Sequence, residues 1–85
     1  MKTFEYTIKD EVGIHARPAG LLVKEAKKYQ SSINIVKNGK AAGAAKLMAL
    51  MGLGVKCGDT VQVTVEGPDE DAAFDGIKAF LEANL

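Results

Sequence analysis

The sequence is short of several things, and each shortage excludes something. Its 85 residues contain one cysteine, Cys57, and one histidine, His15. A single cysteine cannot close an internal disulfide, and one cysteine with one histidine cannot complete a zinc site from the chain alone. Eleven basic side chains are balanced by eleven acidic ones, whereas a dedicated nucleic-acid binder is normally clearly basic. No apolar run approaches the ~20 residues that span a bilayer, so no membrane insertion is expected. Met1-Lys2-Thr3-Phe4 runs straight into strand-like alternation without an apolar leader core. A cytoplasmic protein with no cofactor and no metal is therefore expected.

What is present suffices for one small core. A chain of this length fits a single domain, residues 1–85, and 47% apolar residues are enough to fill it. Phe4, Tyr6 and Ile8 alternate with Thr3, Glu5, Thr7 and Lys9, the period of a half-buried strand. Asp10 to Gly13 read as a loop. A helix is predicted from Ala16 to Lys28, with Leu22, Ala26 and Tyr29, preceded by Pro18 or Ala19, as its core stripe. Ile33 and Ile35 mark a second strand. Asn38-Gly39 is a type I′ hairpin signal, because both central residues of that turn need positive φ. A weak third strand from Ala41 to Ala44 belongs at a sheet edge, alanine and glycine being poor strand formers.

Lys46 to Leu53 reads as a short helix, and Val55 to Asp59 as a loop in which Cys57 is incidental. Val61, Val63 and Val65 give the clearest strand, broken by Gly67-Pro68. Asp69, Glu70 and Asp71 open a last helix, where the dipole favours acidic residues, and Phe74, Ile77 and Leu81 form its core stripe. The order βαββαβα predicts an α/β (α+β) fold. It is an open-faced two-layer sandwich, with a four-stranded antiparallel sheet, three helices on one face and a wet opposite face.

Chemistry concentrates in Gly13-Ile14-His15-Ala16-Arg17-Pro18. Pro18 suits a first helical turn, since its φ is preset and its missing N–H has no partner there. His15 then falls beside backbone N–H groups that the helix cannot satisfy, at the positive end of its dipole, with Arg17 adding charge. That setting disfavours the imidazolium and leaves a nucleophilic imidazole that could accept and hold a phosphoryl group. A histidine that merely caps the helix, with Arg17 pointing to solvent, is the alternative, and spacing alone favours it. Arg17, Gly20, Lys24 and Lys27 recur every three or four residues and line one face. That face is either a basic binding stripe or a solvated surface matched to the dipole.

The short helix is unusually apolar. One stripe of it can be buried, so some of Leu47, Met48 and Met51 should be exposed beside a buried Leu50 or Leu53. Exposed apolar clusters mark partner sites, and methionine adapts to several partners; a more deeply buried segment is the alternative.

With Gly13-Ile14-His15-Ala16-Arg17-Pro18, Leu47-Met48-Ala49-Leu50-Met51-Gly52-Leu53-Gly54 and Asn38-Gly39-Lys40 in register, essentially the whole chain resembles the HPr family. These are the histidine-containing phosphocarriers of the bacterial sugar phosphotransferase system. The resemblance implies that enzyme I passes a phosphoryl group to Nδ1 of His15, and that IIA domains of sugar permeases receive it. Arg17 would then stabilise the transferring charge, and the N–H groups of Ala16 and Arg17 would hold phosphoryl oxygens. Gly20, Lys24, Lys27, Leu47, Met48 and Met51 would form a surface shared by both partners. The implied protein is a monomeric carrier without turnover of its own.

One departure stands out. Where a kinase-regulated branch of the family has a serine at the start of the short helix, this chain has Lys46, so seryl regulation there is not expected. A paralogue serving a regulatory relay, and a non-catalytic domain binding through its methionine-rich helix, are the competing readings.

Overall fold

The structure, a computed structural model, describes residues 1–11, 13–14 and 16–85; Val12 and His15 lie outside the described residues. Strands β1 (Lys2–Thr7), β2 (Ser32–Lys37), β3 (Lys40–Gly43) and β4 (Thr60–Glu66) alternate with helices α1 (Ala16–Ala26), α2 (Leu47–Gly52) and α3 (Glu70–Asn84). The sheet order is β1-β4-β2-β3, and every pairing is antiparallel. The strand with the cleanest alternation therefore takes a central place, and the alanine-rich strand takes an edge.

Register follows burial. Val63 stands opposite Phe4 on one side and Ile35 on the other, and Val65 stands opposite Ile33. These residues share the inner face, where Ala19, Leu22 and Ala26 of α1, Leu50 of α2, and Ala73, Ile77 and Leu81 of α3 close over them. Full burial of each large aliphatic side chain is worth ~1.5–3 kcal/mol. Thr3, Glu5, Thr7, Gln62, Glu66 and Ser32 point the other way and are exposed, the wet face that the alternation implies. Asn38 and Gly39 have φ of 50° and 81° in the β2–β3 turn.

Helix α1 is shorter than its apolar period suggests. It stops at Ala26, and residues 27–29 continue in tighter turns, with Lys28 N–H bonded to Glu25 C=O and Tyr29 N–H to Ala26 C=O. Tyr29 packs against the core. Its hydroxyl donates to Glu25 Oε2 and fills the notch at Gly76 of α3, where a Cβ would stand 1.8 Å from the tyrosine oxygen. Asp69, with Glu70 and Asp71, opens α3 as the sequence implies. It stands at the N-cap of α3 but makes no side-chain cap bond; its carboxylate accepts the N–H groups of Gln30 and Ser31, each at 2.9 Å, and the Ser31 hydroxyl. The side chain thus joins α3 to the α1–β2 connection.

The segment leading to α1 is held from two directions. A main-chain oxygen of Leu85 accepts N–H from Lys9 at 2.6 Å and Asp10 at 2.8 Å. From the other side, Ile8 N–H donates to Asp59 C=O, Gly58 N–H to Ile8 C=O, and Ile14 N–H to Val55 C=O at 3.0 Å. Gly13, at φ +83°, lies so close to this second loop that a Cβ would stand 2.4 Å from Val55 O and 2.6 Å from Lys56 Cα.

Two expectations follow. Gly13→Ala combines an unfavourable φ with a clash against backbone, so it should cost about 2 kcal/mol or more. Gly39→Ala, at φ +81° in open space, should cost about 1 kcal/mol; equal losses in denaturant titrations would contradict the close approach. The Asp69 carboxyl sits below its ordinary value of 3.8, chiefly through the Ser31 hydroxyl and then the Gln30 N–H. A depressed native pKa gives stability that is fully present above the ordinary value and is lost as pH falls through the native one. Asp69→Ala should therefore lower the thermal midpoint at neutral pH, with the gap to wild type closing in acid; a gap independent of pH would show that the carboxylate's charge contributes nothing.

Candidate functional site

The candidate site is assembled around the start of α1. His15 itself lies outside the described residues, and its flanks define the setting. On one side Ile14 is buried, with its N–H committed to Val55. On the other side α1 begins at Ala16, with Ala16 and Arg17 exposed and Pro18 and Ala19 buried beneath them. The first turn carries no acidic side chain, so the positive end of the dipole is not neutralised from within the helix. Pro18 wastes no donor in this turn. Among the described residues Arg17 makes no ion pair, which leaves its guanidinium available.

The basic residues of α1 and of the turn that follows it are exposed. Arg17, Lys24 and Lys27 are exposed and without ion pairs among the described residues, whereas Lys28 is paired with Glu25 at 3.1 Å. Gly20, between Arg17 and Lys24, has nothing within 4 Å of the place a Cβ would occupy. Neither packing nor backbone conformation requires glycine there. The fold pays ~1 kcal/mol of helix propensity for a shallow spot in an otherwise bulky surface.

Helix α2 packs against α1 and divides its side chains sharply. Leu50 is fully buried, while Leu47 is 39%, Met48 79% and Met51 38% exposed. One anchor in a six-residue helix leaves three large apolar side chains in water. Lys46 occupies the N-cap of α2, makes no side-chain cap bond and lays its stem over Gly43. It has no hydroxyl with which to cap the helix.

Sequence reasoning overlooked a hollow of about 250 Å³ next to Arg17, lined by Asp10, Arg17, Pro18, Leu21, Ala83 and Asn84. Leu21 was legible as the residue one turn after Arg17, and it is 41% exposed. Ala83 and Asn84 had no local signal, since only the packing of α3 on α1 brings them there. Among the described residues no group of three or more metal-binding side chains occurs, Cys57 is exposed and unpaired, and no helix is long and apolar enough to cross a membrane.

Comparison with known proteins gives one answer. Residues 2–83 match the family model described as PTS HPr component phosphorylation site. The phosphocarrier protein HPr of Mycoplasma genitalium is 44% identical over 85 residues, covering 99% of this chain and 97% of that protein. A multiphosphoryl transfer protein of Vibrio cholerae is 41% identical over 98% of this chain, which spans 22% of that larger protein. The crystal structure of HPr from Thermoanaerobacter tengcongensis superposes with a TM-score of 0.93 at 38% identity, covering 98% of this chain and 93% of that one. A helix start with no acidic side chain after the only histidine, an exposed arginine, an exposed apolar patch and full-length similarity in sequence and fold converge: the chain belongs to the HPr family, the phosphocarriers of the phosphotransferase system.

Proposed function

We propose that His15 is the residue that carries the phosphoryl group, and that residues 1–85 act as one carrier domain. The observation that carries this reading is the match of residues 2–83 to a phosphorylation-site family in a chain with a single histidine. In the proposed step, the Nδ1 lone pair of His15 attacks phosphorus on phosphorylated enzyme I. A new N–P bond forms as the donor's bond to phosphorus breaks. The reverse geometry delivers the group to a IIA domain. Little covalent work is asked of the carrier, so catalysis consists of positioning and charge stabilisation.

Arg17 and the first N–H groups of α1, at Ala16 and Arg17, suit the phosphoryl oxygens. Leu47, Met48 and Met51 supply the apolar part of a docking surface, with Lys24 and Lys27 at its basic margin and Gly20 allowing close approach. A small patch with a charged rim favours rapid encounter and rapid release, which a relay needs in both directions. On this reading the protein acts as a cytoplasmic monomer, returns unchanged after each cycle and has no turnover without its partners. Lys46 has no hydroxyl, so seryl phosphorylation at that position is chemically closed. Transfer rates to sugar-specific IIA domains distinguish sugar uptake from a regulatory relay.

Incubation with enzyme I and phosphoenolpyruvate should yield one acid-labile, base-stable phosphoryl adduct, absent in His15→Ala; equal labelling of that variant would refute the assignment. In the same assay Arg17→Ala should slow transfer about 10²-fold, the usual loss when one charge-stabilising donor is removed. Met48→Asp places a charge in the centre of the apolar patch. It should weaken binding to both enzyme I and a IIA domain by about tenfold or more, and unchanged titrations with both would leave α2 a purely structural element.

A further inference from the structure

Strand β2 contains an anomaly. Its inward-facing positions run Ile33, Ile35 and then Lys37, where alternation calls for a third apolar side chain. The lysine side chain is 18% exposed, and its ammonium has two close partners. Nζ donates to Gly54 C=O at 2.8 Å and pairs with Asp59 Oδ2 at 2.8 Å. Both acceptors lie on the α2–β4 loop, one at each end. The same Asp59 oxygen accepts Lys56 N–H at 2.9 Å, and Asp59 N–H returns to Lys56 C=O at 3.0 Å. Lys37 thus closes residues 54–59 into a ring stitched by charge-assisted bonds, which are stronger than neutral ones. The Asp59 carboxyl is held below its ordinary value, first by the Lys37 bond and then by the Lys56 N–H, so the pair stays ionised at neutral pH.

This ring is the support from which the His15 segment hangs. Val55 C=O takes the Ile14 N–H, Asp59 C=O takes the Ile8 N–H, and Gly13 is pressed against Val55 O and Lys56 Cα. We infer that Lys37 is a positioning residue for phosphoryl transfer: it fixes the 54–59 loop, and that loop sets the backbone on the N-terminal side of His15. The inference rests on the carrier reading of His15. Lys37 acts through Gly54 and Asp59, then through Val55.

The test uses the full chain. Lys37→Met keeps the stem and removes the charge, and Lys40→Met, across the hairpin and exposed, makes the same change in net charge without touching the loop. Amide hydrogen exchange should quicken about tenfold at Ile8 and Ile14 in Lys37→Met, with Val63 in the central strand unchanged, as a local opening requires. The kcat for phosphoryl transfer from enzyme I should fall between about 10- and 100-fold, the scale of a small misplacement transmitted to a reacting group, with KM for enzyme I unchanged. Lys37→Arg should restore both readings, and Lys40→Met should alter neither. Asp59→Asn removes the pair from its other end and should reproduce Lys37→Met, which keeps the question decidable if one variant fails to fold. Unchanged exchange at Ile14, faster exchange with normal kcat, or a rise in KM alone overturns the inference. A wild-type protein that accepts no phosphoryl group overturns the carrier reading instead, and the exchange data identify which of the two has failed.

Discussion

One close main-chain approach governs the candidate site: Ile14 N–H reaches Val55 C=O while Gly13 lies within a Cβ's width of the same carbonyl. Backbone groups buried without partners are costly, so a loop feeding a helix must find acceptors outside that helix. Here they come from the α2–β4 loop, and the close contact is possible because residue 13 has no side chain. Helix α1 can then begin at Ala16 with Ala16 and Arg17 facing solvent while Ile14 remains in the core.

The surrounding architecture separates two kinds of surface. The apolar inner face of the sheet is covered by the three helices, except at Lys37 under the α2–β4 loop, and the outer face is largely polar. Exposed apolar area therefore has to come from a helix, and α2 supplies it, since Leu50 alone anchors six residues. Charge is separated too. Arg17 and Lys24 on α1 and Lys27 just beyond it are exposed and make no ion pair among the described residues, while Asp71, Asp75 and Glu82 are exposed on α3. A chain of zero net charge thus carries a basic surface on one helix and an acidic one on another, the arrangement that steers an encounter without strong long-range attraction.

Much of this could be read along the chain. The valines of β4, the Asn-Gly turn and the amphipathic periods of α1 and α3 all appear where their local chemistry places them. The rest was not legible where a side chain's partner is distant in sequence. Tyr29 packs against the core as its period implies, but its contact with Gly76 of α3 had no local signal. Asp69 opens α3 as its charge implies, but the bonds its carboxylate accepts from the N–H groups of Gln30 and Ser31 had no local signal. The hollow beside Arg17 needs Ala83 and Asn84, which only the packing of α3 supplies.

Sequence by itself determined the element order, the two faces of each strand, the family signature around His15 and the absence of a hydroxyl at Lys46. These depend on spacing of two to four residues and on side-chain identity, both of which are local. Tertiary structure decided which of the apolar α2 residues are exposed, which lysines are free and which are consumed, and what carries the His15 segment. Lys37 and Lys24 are alike as letters. One lies under the α2–β4 loop with two acceptors 2.8 Å away and the other lies in water, because hydrogen bonding and burial are settled by whatever the fold places alongside.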